Sequence, residues 1–539
     1  MTKSQSVEAP TTSKSHSPVK VTIIRPPALV SKGSIQWQIG PPLGAAYLAA
    51  SLRAAGHQVS VVDALGEAPF QQMPCFDDRM IVIGLSIEQT VSRIPENTAI
   101  IGISCMFSQD WPYVKRLAEA LRQQFPKALL IAGGEHITAT AAYTLEACPE
   151  FDLTVLGEGE EAIVEIANCV ANNGDLSQLK GIAIRRDGKP LLTPERARLK
   201  NIDAIPRPAW DLVPIDAYLD NGLAFGVNRG RTMPILATRG CPYQCTFCSS
   251  PAMWTTRWQA REPEAVLDEI QDYIDRYRAA NIDFYDLTAT MKKDWVLKLC
   301  NLIEQRGMKF TFQIPQGTRS EVLDAEVCRA LRRAGCANLT YAPESGAATT
   351  LKRIKKRADL AKMKVSIRSA VKEGMIVKTN IVMGFPDETR GEAWQTVVFS
   401  TKMALLGVHD LSVGLFSPYP GSELFDELCK CGKIPKLDEE YFLSLATNYT
   451  DLTVATAWCD KMTNRQVAAL RLAALVGFYG MQYATRPWRL LRTLYNLAAN
   501  RQESRMDKTL HDFFMRRRVD ASMISAPQTP SGAVAGRQA

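Results

Sequence analysis

Three cysteines fall within one short run, Arg239-Gly240-Cys241-Pro242-Tyr243-Gln244-Cys245-Thr246-Phe247-Cys248. A C-x₃-C-x₂-C loop can wrap a cube of iron and sulfide, but it can ligate only three of the four irons. The fourth iron is then free to take a chelating substrate. Zinc is the alternative, yet structural zinc sites usually take four ligands. No His or Cys follows close behind Cys248 to supply one. The spacing favours a 4Fe–4S cluster held by Cys241, Cys245 and Cys248.

Such a loop must be positioned, and the pattern around it shows how. Apolar runs at Pro234–Thr238, Ile282–Leu287, Lys309–Ile314, Ala337–Tyr341, Val377–Met383 and Leu411–Phe416 alternate with helical patterns. Six such units predict a partial (β/α)6 barrel over residues 226–435, with its chemistry where the strands end. The cysteine loop follows the first of these strands directly. Ahead of the barrel, residues 19–190 alternate strand and helix through Val21–Ile24, Val59–Leu65, Ala99–Ser104, Ala128–Gly133 and Leu153–Leu156. That alternation predicts a doubly wound, Rossmann-like sheet whose crevice lies at the strand ends. No G-x-G-x-x-G opens its first helix, which disfavours a nicotinamide dinucleotide. A Pro-containing stretch, residues 191–225, reads as the linker between the two domains. Helical patterns fill residues 436–518. Residues 1–18 and 519–539 are small and polar enough to be a disordered leader and tail.

Composition sets the outer limits. The chain has 539 residues, Lys+Arg 64 against Asp+Glu 56, and 13 cysteines, an odd number far below that of a disulfide scaffold. A reducing cytoplasm suits that count. The leader lacks the apolar run of a secretory signal. No stretch reaches 18 uninterrupted apolar residues, since the longest candidate, Val467–Met481, is broken by Arg471. The net charge of +8 concentrates between Gln482 and Arg518, where nine Lys+Arg meet three Asp+Glu.

The cysteine loop after the first barrel strand resembles the signature of the radical S-adenosylmethionine (SAM) superfamily. That resemblance implies an open iron chelated by the amino and carboxylate groups of SAM, and one-electron cleavage of SAM to a 5′-deoxyadenosyl radical. It implies further SAM contacts by strand order. Phe247 matches the position that packs by the adenine. Asp286 ends the second strand, where relatives often carry a glycine-glycine-glutamate segment that this chain lacks. Glu344 and Ser345 match a ribose-binding segment. Gly384 lies in Asn380-Ile381-Val382-Met383-Gly384-Phe385-Pro386-Asp387, which resembles an adenine-side G-x-I-x-G-x-x-E pattern, with Asn380 and Asp387 departing from it.

Over about residues 20–430, domain order and loop motifs resemble the cobalamin-binding branch of that superfamily. The carriers are Pro41-Pro42-Leu43-Gly44, Gly133-Gly134-Glu135-His136-Ile137-Thr138 and Gly157-Glu158-Gly159-Glu160-Glu161. The resemblance implies that Pro42, Leu43, Gly44, Gly133, Gly134, His136, Thr138, Gly157 and Gly159 border the corrin and its nucleotide tail, and that Phe107 and Ser108 border its lower face. The D-x-H-x-x-G motif that supplies a lower cobalt ligand in many cobalamin proteins is missing. Together the cofactors imply a methyltransferase: one SAM methylates cobalt(I), a second yields the radical, and the substrate radical takes the methyl group. The other outcome in this branch is a radical cyclase without net methyl transfer.

The basic C-terminal helices admit two further readings. One is a helical cap with its arginines in water. The other is an interfacial patch that meets a lipid or isoprenoid substrate at the inner face of a membrane. An RNA-modifying enzyme is less favoured, because no small β-barrel appendage is visible. A cobalamin or redox carrier would leave the SAM contacts without purpose. A reducing partner such as flavodoxin or ferredoxin is implied by the need for electrons.

Overall fold

The computed structural model describes residues 17–35, 39–319 and 322–525. The expected leader therefore lies almost wholly outside the described residues, as does the tail beyond Ser525. The final helix, Arg505–Ser525, runs past the expected boundary at Arg518. Ala521-Ser522-Met523-Ile524 contains neither Gly nor Pro, so nothing there breaks a helix.

The N-terminal sheet has seven strands in the order Lys189–Leu192, Ile182–Arg186, Leu153–Val155, Leu129–Gly133, Ile100–Ser104, Lys20–Arg25, Gln58–Asp63. The five strands expected from alternation are all parallel, because helices must cross over between them. The two strands nearest the connector run antiparallel as a hairpin. Their polar, short sequence, Arg185-Arg186-Asp187-Gly188-Lys189, gave no buried-strand signal. A separate three-stranded antiparallel sheet, Ala28–Ser31, Met80–Ile83 and Gln72–Cys75, was likewise not foreseen.

The second sheet follows the expectation closely. Six parallel strands lie in sequence order: Thr232–Ile235, Asn281–Phe284, Thr311–Thr318, Cys336–Glu344, Ile376–Met383 and Asp410–Leu415. Apolar side chains from the strands and their crossover helices form the largest core.

Two expected boundaries change. Residues 191–225 are not a free linker: Trp210 and Tyr218 are fully buried between the domains. Trp210 donates to Tyr273 of the barrel at 3.1 Å, and Tyr218 donates to Asp63 of the first domain at 2.6 Å. Burying two large aromatics outweighs the tendency of a Pro-rich stretch to stay solvated. The helix Glu439–Thr450 is not part of a separate cap either. Its Tyr441 and Phe442 join Trp111 and Phe151 of the first domain in a core that also takes in Phe385 and Phe416 of the barrel, and Tyr143 donates to Leu437 O at 2.7 Å.

Among the described residues, the helix Asn464–Thr485 alone is long and apolar enough to cross a membrane. It packs instead along the barrel helix Arg390–Leu405. Its Arg471 is buried and donates to Asp451 O at 2.9 Å, and Gln482 donates to His409 O at 2.9 Å. Those bonds tie the helix to the protein.

Candidate active site

The cysteine loop is closed at its base by a short ribbon, Thr238–Arg239 against Gln259–Ala260. Gly240 enters it at φ 83°, and a side chain there would strike Arg257 O at 2.3 Å. Asp286 braces the same strand end, accepting from Thr238 Oγ1 at 2.6 Å and Ala237 N at 3.3 Å. Farther along, Thr246 N donates to Ile354 O, and Leu424 N donates to Thr246 O. The loop is therefore fixed from both sides before any ligand binds.

All three thiols are partly exposed and free of disulfides. Burial pushes the Cys248 thiol up to about 11, and burial also raises that of Cys245, each with a contribution from the preceding cysteine. Neighbouring thiols that resist ionising together need a metal charge to hold them as thiolates. Three thiols on one short, braced loop are a donor set that fits an iron–sulfur cluster.

The expected SAM contacts divide into two sets. Phe247 lies against Phe385 with centroids 5.5 Å apart, and Gly384, just past the strand Ile376–Met383, sits at φ 83°. Glu344 is held at φ 65° and pairs with Lys356 at 2.9 Å, both side chains nearly buried. Asp286 and Ser345 differ from expectation. The Asp286 carboxyl is buried against the first strand, and burial lifts it to about 6. Ser345 is fully buried, sharing a hydrogen bond with Thr396 Oγ1 at 3.0 Å and accepting from Ala347 N at 3.1 Å. Both side chains are buried and spend their hydrogen bonds on neighbouring residues. Glu388, one position beyond the expected acid at Asp387, accepts from Gly384 N at 2.6 Å. Its other oxygen has no partner among the described residues, and burial raises its carboxyl to about 7. The one-residue offset hid it from the sequence pattern.

The second set of loops meets the first. Gly134 lies at φ 114°, ψ 178°, and a Cβ there would strike Cys105 O at 2.4 Å. Gly44 and Gly157 face open space instead. Pro42 and Leu43 start the helix Leu43–Ala54, and Gly133 ends the fourth strand of the parallel order along the chain. Phe107 is 58% exposed, so a large apolar ring stands at a strand end. Such a cradle, with open glycine faces and an outward aromatic ring, fits a broad flat ligand.

His136 and Ser108 do not join that cradle through their side chains. His136 is 2% exposed, with Nδ1 at 3.0 Å from Ser108 Oγ and Nε2 at 3.4 Å from Thr140 Oγ1. Trp111 and Phe442 enclose the ring, and burial lowers its pKa to about 3. It is a neutral core histidine.

Thr138 joins the domains. It accepts from Gly157 N at 3.0 Å and contacts Met253 Sδ at 3.4 Å, while Ser249 donates to Glu135 at 2.9 Å. Met253 and Ser249 follow Cys248 closely. Arg239, two residues before Cys241, pairs with Glu158 at 3.0 Å and with Glu160 at 2.5 Å, all three side chains buried or nearly so. Gly159 lies between these two acids. The glycine loops of the first domain and the cysteine loop of the second thus form one surface.

Comparison with known proteins agrees with this arrangement. Residues 38–167 match the B12 binding domain and residues 235–399 match the radical SAM superfamily. An uncharacterized methyltransferase from Pyrococcus horikoshii is 28% identical over 76% of this chain and 83% of its own. An anaerobic magnesium-protoporphyrin IX monomethyl ester cyclase from Synechocystis is 27% identical over 65% of this chain and 66% of its own. A hopanoid C-3 methylase from Methylococcus capsulatus is 23% identical over 71% and 67% respectively. The fold is that of the radical SAM methyltransferase TsrM from Kitasatospora setae, solved with cobalamin and a 4Fe–4S cluster, with TM-score 0.65 over 94% of this chain, all of that one, and 13% identity. With its cobalamin-binding domain joined to a radical SAM barrel, the chain belongs to the cobalamin-dependent radical SAM enzymes, which work with a 4Fe–4S cluster, SAM and cobalamin.

Proposed function

We propose that this enzyme methylates an unactivated carbon of a hydrophobic substrate, a lipid, isoprenoid or related natural product. The observation that carries the reading is the shared surface of the two loop sets, where Thr138 touches Met253 and Arg239 binds Glu158 and Glu160. Methyl transfer to a carbon radical needs both cofactors to face one substrate cavity, and that contact would set them side by side. With both cofactors bound, the cluster supplies the electron that cleaves SAM and cobalamin supplies the methyl group.

Cys241, Cys245 and Cys248 would hold the cluster. Phe247 and the backbone at Gly384 would bracket the adenine, and Glu344 would meet the ribose. Glu388 would keep the Gly384 turn in place. Pro42, Leu43, Gly44, Gly133, Gly134, Gly157 and Gly159 would line the corrin with backbone, and Phe107 would cover its lower face. His136, enclosed by aromatic rings, would supply no ligand to cobalt. Electrons would come from a flavodoxin or ferredoxin. The same reading puts the protein in the cytoplasm, in peripheral contact with the membrane that holds such a substrate. The match to a cyclase supports ring closure without methyl transfer as the second reading.

Anaerobic reconstitution with iron, sulfide, cobalamin and methyl-labelled SAM, followed by extraction of cellular lipids, separates these. Label in a lipid product is expected. Deoxyadenosine without label transfer points to cyclisation. Retention of a full cluster and SAM cleavage by Cys245→Ala would refute the assignment of the cysteines.

A further inference from the structure

The helix Pro487–Ala498 is inverted: its polar side faces the protein and its apolar side faces outward. Arg489 donates to Val408 O and Gly407 O, each at 2.9 Å, and Asn496 is 1% exposed and donates to Asp507 at 2.9 Å. Just before the helix, Arg486 donates to Ala404 O at 3.0 Å and Leu405 O at 3.1 Å, binding the C-terminal carbonyls of the barrel helix Arg390–Leu405. On the other side, Trp488 is 60% exposed, Leu491 68%, Leu494 53% and Tyr495 56%. A soluble surface helix shows the opposite pattern. The adjoining helix Asn464–Thr485 also exposes Leu472 and Val476, both by more than half. Beside Leu472 lies a groove of about 190 Å³ lined by Leu452, Ala468, Ala469, Leu472 and Leu475, with only Arg471 polar.

We infer that this face docks on an anionic lipid bilayer. An exposed apolar helix face of this kind marks an interaction site. Charge complementarity selects the partner: Arg492 is exposed on this helix with Glu503 as its ion partner, residues 482–500 hold no Asp or Glu, and Arg465 and Arg501 are exposed at the two ends of the helical segment. Trp488 and Tyr495, seven residues apart, share one helix face, and such rings sit at the headgroup level of a membrane. Leu491 and Leu494 between them would enter the acyl boundary, and the groove would take part of an acyl or isoprenoid chain. The inference rests on the hydrophobic-substrate reading for its purpose, and on the surface alone for its chemistry.

The test is flotation of the full-length protein with vesicles containing phosphatidylglycerol, beside vesicles of phosphatidylcholine alone. Binding is expected to the acidic vesicles, to weaken as salt rises, and to fall at least tenfold in Leu491→Glu and in Trp488→Ser. Both positions are mostly exposed, so SAM cleavage by the reconstituted variants should match the parent. A parent protein that does not float, or a Leu491→Glu variant that floats equally well, overturns the inference. A dimer in sedimentation that Leu491→Glu splits, with no vesicle binding by either form, also overturns it and assigns the face to a second copy. Flotation needs no cluster, so failure here leaves SAM cleavage and methyl transfer to be judged separately.

Discussion

Arg239 and Glu158, 81 residues apart in sequence, form a buried ion pair at 3.0 Å that joins the cluster loop to a glycine loop of the cobalamin domain. Glu160 takes the other side of the guanidinium, and Glu158 also accepts from Arg198 and from Leu199 N. The Arg239 charge is held well above its ordinary range by these two acids against the opposing effect of burial. Buried pairs of this sort contribute little over a well-packed apolar substitute, but removing one partner strands the other.

Arg239→Met should therefore destabilise the domain junction by about 3–5 kcal/mol, the usual cost of an uncompensated buried charge. Limited proteolysis should cut sooner within residues 191–225, and cobalamin retention on gel filtration should drop. Glu160 is the acid left without an ion partner, since Glu158 keeps Arg198, so the double variant with Glu160→Gln should recover much of the loss. If the double variant is as unstable as Arg239→Met, the ion pair is not the cause.

Gly134 offers a more local test. Its φ of 114° with ψ of 178° lies where only glycine is at ease, and the approach to Cys105 O leaves no room for a methyl group. Gly134→Ala should cost about 1–3 kcal/mol. It should also weaken cobalamin uptake, because the backbone of residues 105–107 must move. Gly44→Ala, which meets open space, should leave the apoprotein's stability nearly unchanged while reducing corrin binding. Equal effects of the two on apoprotein stability would contradict this division.

How much of this was legible beforehand follows from which interactions are local. The cysteine loop is one short segment, so its ligand geometry is written in its spacing. The six barrel strands were visible because each carries buried apolar residues, such as Ile282 and Phe284 or Val377, Ile381 and Met383, and is separated from the next by a helical pattern. Other features depend on partners distant in sequence. The fate of His136 was set by Trp111 and by Phe442, which is 306 positions away. No sequence window contains both. Asp286 and Ser345 lie at the expected strand ends, yet their carboxyl and hydroxyl are consumed by Thr238 and Thr396. Glu388 was missed because the turn after Gly384 carries one more residue before its acid than the pattern allows.

His136 also predicts a pH effect. Burial lowers its folded-state pKa to about 3, against about 6.5 when the chain is unfolded. The unfolded chain thus binds an extra proton as pH falls through 6.5, and folding loses stability from there down towards pH 3. Between pH 6.5 and 5 the loss from this one group is about 2 kcal/mol. His136→Gln cannot take up that proton, so its stability should fall less between pH 7 and pH 5 than the parent's, whatever its stability at pH 7. Denaturant midpoints at the two pH values give the comparison. A parallel fall in both proteins would show that His136 does not titrate on unfolding.

Phe107 separates cofactor binding from folding. Its ring is 58% exposed at the end of the strand Ile100–Ser104, beside the partly exposed Met106, and it packs into none of the described cores. Removing it should cost the apoprotein little, since an exposed ring has little burial to lose. Covering most of that ring with a corrin face would stabilise the complex by about 1.5–3 kcal/mol, the value of burying a large apolar side chain. Phe107→Ala should then weaken cobalamin binding by about 10- to 100-fold with an unchanged melting temperature in the absence of cofactor. Titration of the apoprotein with cobalamin, followed by the corrin absorbance, measures the first quantity, and calorimetry measures the second. Unchanged affinity would move the corrin off this strand end, and with it the proposed lower face of the site.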